Sequence, residues 1–218
     1  MNVQQKYQHV IWDWNGTLFD DAWLCVDIMN GMLRERNLPE MSLQKYAEIF
    51  DFPVRDYYAK LGFDNTIDPF EKLSDTFIGE YLRRKFECQL RDGTRETLAG
   101  LQENGVQQSV LSAAKHDHLL RILGHFEIMS FFRDVSGIDN HHADGKLENA
   151  HAMMAALNLS PKTTLLVGDS LHDWHVAKAI GVDCVLIPGG HQSPERLTAA
   201  SAKMIHSLRD LRKLFAFE

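Results

Sequence analysis

Apolar positions follow two rhythms along the chain. The run at 9–12 is short and continuous, and it gives way to Asp13, Asn15, Gly16 and Thr17. That is the pattern of a buried strand ending at a turn. From 22 to 87 the apolar residues recur at three- and four-residue intervals, over 22–38, 42–50, 54–63 and 68–87, with breaks at Pro39, Pro53 and Pro69. Proline removes a helical hydrogen bond and clashes with the preceding turn, so these breaks separate helices. No strand is expected inside this block, and Asp20–Asp21 are placed to cap its first helix.

Beyond residue 91 short apolar runs alternate with helical spacing. Strands are expected over 106–112, 133–139, 163–169, 183–190 and 203–208, and helices over 92–105, 115–126, 147–159, 172–182, 193–201 and 209–215. Such alternation argues for a parallel sheet covered on both faces. The fold class is therefore α/β: a Rossmann-like parallel sheet with helices on both faces, plus an inserted all-helical cap domain. The expected core domain is 1–19 with 90–218, and the cap is 20–89. An insert after the first strand sits above the carboxyl ends of the strands, where open α/β sheets bind ligands.

Bulk properties narrow the partners. A chain of 218 residues with net charge -7 does not suit a general nucleic-acid or anionic-membrane binder. No stretch reaches the roughly 20 apolar residues of a membrane span, and the first residues carry no signal pattern. Cys25, Cys88 and Cys184 are odd in number and widely spaced, which predicts free thiols and a cytoplasmic setting. The charge does not exclude a phosphorylated small molecule, because a bound cation can override the global sign.

The strand ends carry the chemistry. Asp13 ends the first strand, Ser112 the second and Asp169 the apolar run before it; Lys146 precedes a helix, and Asp173 lies one helical turn past Asp169. Each residue alone has a plain reading as a cap, a turn hydroxyl or a solvated lysine. Together, three carboxylates, a hydroxyl and a lysine meet on one rim. Carboxylates so close repel, and a hard cation such as Mg²⁺ relieves them while binding phosphate oxygen. Lysine and serine suit an incoming phosphoryl group. The pattern predicts metal-assisted phosphoryl transfer, with a carboxylate available as nucleophile.

These segments resemble the haloacid dehalogenase superfamily of hydrolases over most of the chain. Asp13-Trp14-Asn15-Gly16-Thr17-Leu18 resembles its first motif, DxDGT; Ser112 matches the second, Lys146 the third, and Gly168-Asp169-Ser170-Leu171-His172-Asp173 the fourth, GDxxxD. The segments 92–105, 165–170, 177–182 and 185–191 look like its phosphoglycolate phosphatase-like subgroup, and the helical insert resembles its small cap. The resemblance implies a Mg²⁺-dependent phosphatase acting on a small phosphorylated metabolite. Asp13 would form an aspartyl-phosphate, and Asp13, the Asn15 carbonyl, Asp169 and Asp173 would surround the metal. Asn15, Gly16, Ser112 and Lys146 would bind phosphate. One position departs from the family: where its phosphatases have a second aspartate as general acid and base, this chain has Asn15. An amide does neither job, and such help is worth typically 10²–10⁴ in rate. Alternatives are therefore a relative acting on an acyl phosphate or phosphonate, or a phosphoryl-binding regulatory protein with weak hydrolysis.

Other features read plainly. Of eleven histidines, the pairs His116/His118 and His141/His142 are expected at the surface; His172 lies inside the fourth motif, near the site. Trp12 is expected in the core; Trp14, which alternation turns away from Asp13, has reach to cap or substrate only as the lesser alternative. Arg83-Arg84-Lys85 reads as a solvated helix face, and Arg55, Tyr57, Tyr58 and Lys60 are possible substrate contacts from the cap.

Overall fold

The computed structural model describes residues 6–138 and 145–215. The His141/His142 pair and the last residue of the strand expected at 133–139 lie outside them.

The strands are β1 His9–Trp12, β2 Phe19–Asp20, β3 Gln89–Leu90, β4 Gln107–Lys115, β5 Asp134–Ile138, β6 Thr164–Gly168, β7 Asp183–Leu186 and β8 Lys203–Met204. The helices are α1 Ala22–Arg34, α2 Leu43–Ile49, α3 Val54–Lys60, α4 Phe70–Arg84, α5 Thr94–Glu103, α6 His116–His125, α7 Lys146–Ala156, α8 Leu171–Ile180 and α9 Pro194–Leu197, and a 3₁₀ segment spans Leu208–Leu214. Six strands form one sheet in the order β5-β4-β1-β6-β7-β8, with parallel pairing throughout. The chain moves outward from β1 through β4 to β5, then returns to the other side of β1 with β6. The switch point therefore lies between β1 and β6, where a crevice opens beyond the carboxyl ends.

Alternation along β1 splits the core in two. Val10 and Trp12 join Val110, Leu165 and Val167 on one face. Ile11 joins Leu111, Leu166, Ala150, Val176 and Ala177 beneath α7 and α8 on the other. Each such side chain fully buried is worth about 1.5–3 kcal/mol. Trp12 is in the core as expected, its indole N–H donating to Gln108 Oε1 at 3.0 Å.

Two local expectations, on Ser112 and on Asp21, are corrected, and a short ribbon flanks the helical block. The β4 strand runs on to Lys115, so Ser112 lies inside it, where pairing with β5 loses register between Leu111 and Lys115. The ribbon β2–β3, antiparallel through Phe19–Leu90 and Asp20–Gln89, brackets helices α1–α4 at entry and exit; two-residue strands leave too little alternation to be read. Asp21 occupies the N-cap position of α1, yet its side chain caps nothing there. Its carboxylate turns toward the crevice instead.

Candidate active site

Asp13 is the first residue after β1, and its N–H extends the ladder to the Val167 carbonyl at 2.9 Å. Asp169 is the first residue after β6. Asp173 sits in the first turn of α8, where its Oδ2 accepts from the N–H and hydroxyl of Ser170 at 3.1 and 2.6 Å, part of a capping box. Lys146 opens α7, and its Nζ donates to Asp13 Oδ1 at 2.5 Å and to Asp173 Oδ1 at 2.6 Å. Four different elements thus deliver three carboxylates and one ammonium to a single buried point. The sequence-predicted residues Asp13, Lys146, Asp169 and Asp173 come together there. Ser112 lines the same pocket, its Oγ accepting from the Ala114 N–H at 3.0 Å, which leaves the hydroxyl hydrogen available.

The charge balance is acidic. One oxygen from each of Asp13, Asp169 and Asp173 lies within 4.8 Å of the others. Burial, reinforced by Asp173, pushes Asp13 up to about 7 despite Lys146. Burial likewise pushes Asp169 up to about 6. Burial opposes ionisation of Asp173 too, but Lys146 and the Ser170 hydroxyl outweigh it and hold Asp173 below the usual range. Three oxygen donors short of positive charge are the donor set of a hard divalent cation; among the described residues no other cluster offers it.

The loop after Asp13 is tightly packed. Gly16 adopts φ +70°, and a Cβ there would come within 2.2 Å of Asp169 Oδ2, so only glycine fits. Its N–H donates to the Phe19 carbonyl and to Asp21 Oδ1, both at 2.9 Å. That donor is engaged inside the loop. Thr17 Oγ1 donates to Asp13 Oδ2 at 2.9 Å. Asn15 stands beside the cluster with its amide directed away from it: Nδ2 donates to Asp21 Oδ2 at 2.6 Å and to the Tyr81 hydroxyl at 2.8 Å.

A second group of residues escaped the sequence reading. The Tyr81 hydroxyl donates to Asp21 Oδ2 at 2.7 Å, and His191 Nε2 lies 3.3 Å from Asp21 Oδ1. Burial disfavours charge on both Asp21 and His191, but each overcomes it through the other. Asp21 is held below its usual range, and His191 is raised to about 9. The His191 N–H donates to Asp169 Oδ2 at 2.5 Å, and its Nδ1 is 2.7 Å from the Tyr46 hydroxyl. The glycine pair before His191 was the one available signal of a close approach.

Above the carboxylates lies a cavity of about 480 Å³ between the sheet and α1–α4. Trp14, Phe50, Phe52, Phe77 and Tyr81 line it, with Trp14 stacked on Phe19 at 5.0 Å and Phe77 on Tyr81 at 6.2 Å. Arg55, Tyr57 and Tyr58 line it too; Lys60 does not. His172 also reaches the cavity, its ring 4.9 Å from that of Phe52. Arg83 and Arg84 pair with Glu80, Asp27 and Glu87 as surface residues do. Lys85 departs from the solvated reading: it is buried, lines the cavity and donates to the His118 carbonyl at 3.2 Å.

Comparison with known proteins places this architecture. Residues 10–187 match the model of the haloacid dehalogenase-like hydrolase family. Phosphoglycolate phosphatase of Pseudomonas putida is 30% identical, over 94% of this chain and 77% of its own. Tyrosine-protein kinase PtkA of Mycobacterium tuberculosis is 27% identical, over 91% of this chain and 68% of its own. The crystal structure of a predicted phosphoglycolate phosphatase from Haemophilus somnus superposes with a TM-score of 0.78 at 20% identity, covering 97% of this chain and 99% of that one.

Proposed function

This chain belongs to the haloacid dehalogenase-like hydrolases, and from that premise we propose that it is a Mg²⁺-dependent phosphatase of small phosphate esters, working through an aspartyl-phosphate on Asp13. The observation that carries the reading is the buried Asp13–Lys146–Asp173 chain with Asp169 alongside. A surface phosphate site needs no carboxylate directed at phosphorus; a covalent one does.

Asp13, Asp169, Asp173 and the Asn15 carbonyl would hold Mg²⁺, which would supply positive charge against the phosphoryl oxygens. The chain's own residues do the rest. Lys146 and Thr17 hold the two Asp13 oxygens in line, and Ser112 and Lys146 donate to the phosphoryl group. Asp13 attacks phosphorus, the ester P–O bond breaks, and the leaving oxygen takes the electron pair and a proton from solvent. Water then attacks the phosphorus of phospho-Asp13; inorganic phosphate leaves and the carboxylate is restored. Helices α1–α4 act as the cap that shields these steps from bulk water. Cys25, Cys88 and Cys184 are free thiols, which suits a reducing, cytoplasmic setting; among the described residues no helix is long and apolar enough to cross a membrane.

The test is phosphate release from acetyl phosphate and p-nitrophenyl phosphate with Mg²⁺ and with EDTA. Release is expected only with Mg²⁺ and falls to background in Asp13→Asn. Radiolabelled acetyl phosphate should leave a hydroxylamine-labile label on the parent chain and none on the variant; an equal label on both refutes the mechanism. A second reading is favoured by Asn15, which cannot deprotonate water, and by the kinase name of one relative. In it phospho-Asp13 passes its phosphoryl group to a phenolic hydroxyl, which releases its proton to solvent far more readily than water does (pKa about 10 against about 15.7), and this would show as a label outlasting the assay until a phenolic acceptor is added.

A further inference from the structure

We propose that the substrate is an aryl phosphate, a phosphorylated phenol whose ring lies in the aromatic cavity above Asp13. The proposal rests on the phosphatase reading and names the substrate class of that same site. Two independent observations converge on it.

The first is chemical. Breaking the ester bond of an alkyl phosphate expels an alkoxide whose conjugate acid is about as weak as water, with pKa about 15.7, so it needs a proton in the transition state. The position that would give it holds Asn15, whose amide is tied to Asp21 and Tyr81. A phenoxide leaves as an anion of pKa about 10 and depends far less on a donor. The electron pair of the broken P–O bond stays on the phenolic oxygen, which is protonated later by solvent.

The second is shape. The cavity measures about 480 Å³, within the range of sites that enclose ring-sized ligands. Its walls are Trp14, Phe50, Phe52, Phe77 and Tyr81, several already paired ring to ring at stacking distance. Aromatic walls attract an aromatic guest by offset or edge contacts worth about 0.5–1.5 kcal/mol per pair beyond area burial. A two-carbon acid such as phosphoglycolate gains nothing from them. Both features select the same molecule for unrelated reasons: the loop after β1 tolerates only a good leaving group, and α2–α4 supply a slot for a ring.

The experiment compares kcat/KM for phenyl phosphate, benzyl phosphate and phosphoglycolate, with acetyl phosphate as reference. Phenyl and benzyl phosphate share a ring and differ in leaving group; benzyl phosphate and phosphoglycolate share an alkyl leaving group and differ in body. Phenyl phosphate is expected to exceed benzyl phosphate by about 10² or more in kcat/KM, which reports the steps through departure of the leaving group, and the gap is expected to narrow at least tenfold in Asn15→Asp. Phe77→Ala is expected to raise KM for phenyl phosphate about two- to tenfold more than it raises KM for acetyl phosphate. Equal or better turnover of benzyl phosphate or phosphoglycolate overturns the aryl proposal while acetyl phosphate turnover keeps the phosphatase reading. No phosphate from any of the four overturns both.

Discussion

At the scale of single residues, the structure explains why an amide stands at position 15. Its nitrogen lies 2.6 Å from Asp21 Oδ2, and Asp21 is held ionised by His191. A second carboxylate at that distance would be forced to share a proton with the first. Asn15 donates where aspartate would repel, so the amide belongs to the Asp21–Tyr81–His191 group as much as to the catalytic loop. Asp21→Asn should therefore be costly. It leaves a buried imidazolium without its nearest counter-charge, for which about 3–5 kcal/mol is the usual loss. Urea unfolding at pH 7 reads it, and a loss under about 1 kcal/mol would show that His191 is neutral in the folded protein. None of this was visible along the chain. Asp13, Asp169 and Asp173 sit in recognisable spacings, but Asp21 looked like an ordinary N-cap, and nothing local links Tyr81 or His191 to Asn15 across 66 and 176 positions.

At the scale of elements, the loop joining β7 to α9 is the part to perturb. Gly190 has no room for a side chain: a Cβ would stand 2.1 Å from Asp169 Oδ2 and 2.6 Å from the Gly16 carbonyl. Gly190→Ala is expected to destabilise the fold by about 1–3 kcal/mol and to weaken Mg²⁺ binding as Asp169 is displaced; unfolding and Mg²⁺ titration on the same sample would separate the two effects. The elements that sequence revealed well are those with long periodic patterns or continuous apolar runs, such as α1, α8 and β6. The helical terminus expected at 209–215 is a 3₁₀ segment. The β2–β3 ribbon and the extension of β4 past Ser112 depend on partners far along the chain, and a local pattern carries no record of those.

At the scale of the molecule, buried charge sets conditions for stability. His9 lies in the sheet with Nε2 3.0 Å from Ser109 Oγ, and burial, aided by Arg133, lowers it to about 4. The unfolded chain takes up that proton near 6.5, so the unfolded state binds more protons between the two values. The contribution of neutral His9 is complete above about 6.5 and is lost as pH falls toward 4. Denaturant midpoints at pH 7 and pH 4.5 should fall further apart in the parent than in His9→Gln; parallel shifts in the two proteins would assign the acid loss elsewhere. The same molecule-wide view applies to the segment after Gly190. Its His191 grips Asp169 by the backbone and Tyr46 of α2 by the ring, while the Ser193 N–H donates to the Ala47 carbonyl at 3.0 Å and Arg196 pairs with Asp51 at 2.7 Å. One strap thus has one end on a carboxylate of the buried Asp13–Asp169–Asp173 cluster and the other on the helices that roof the cavity. Thermodynamic reciprocity then applies: to whatever degree a cation at Asp169 favours the roof being down, lowering the roof tightens the hold on the cation by the same factor.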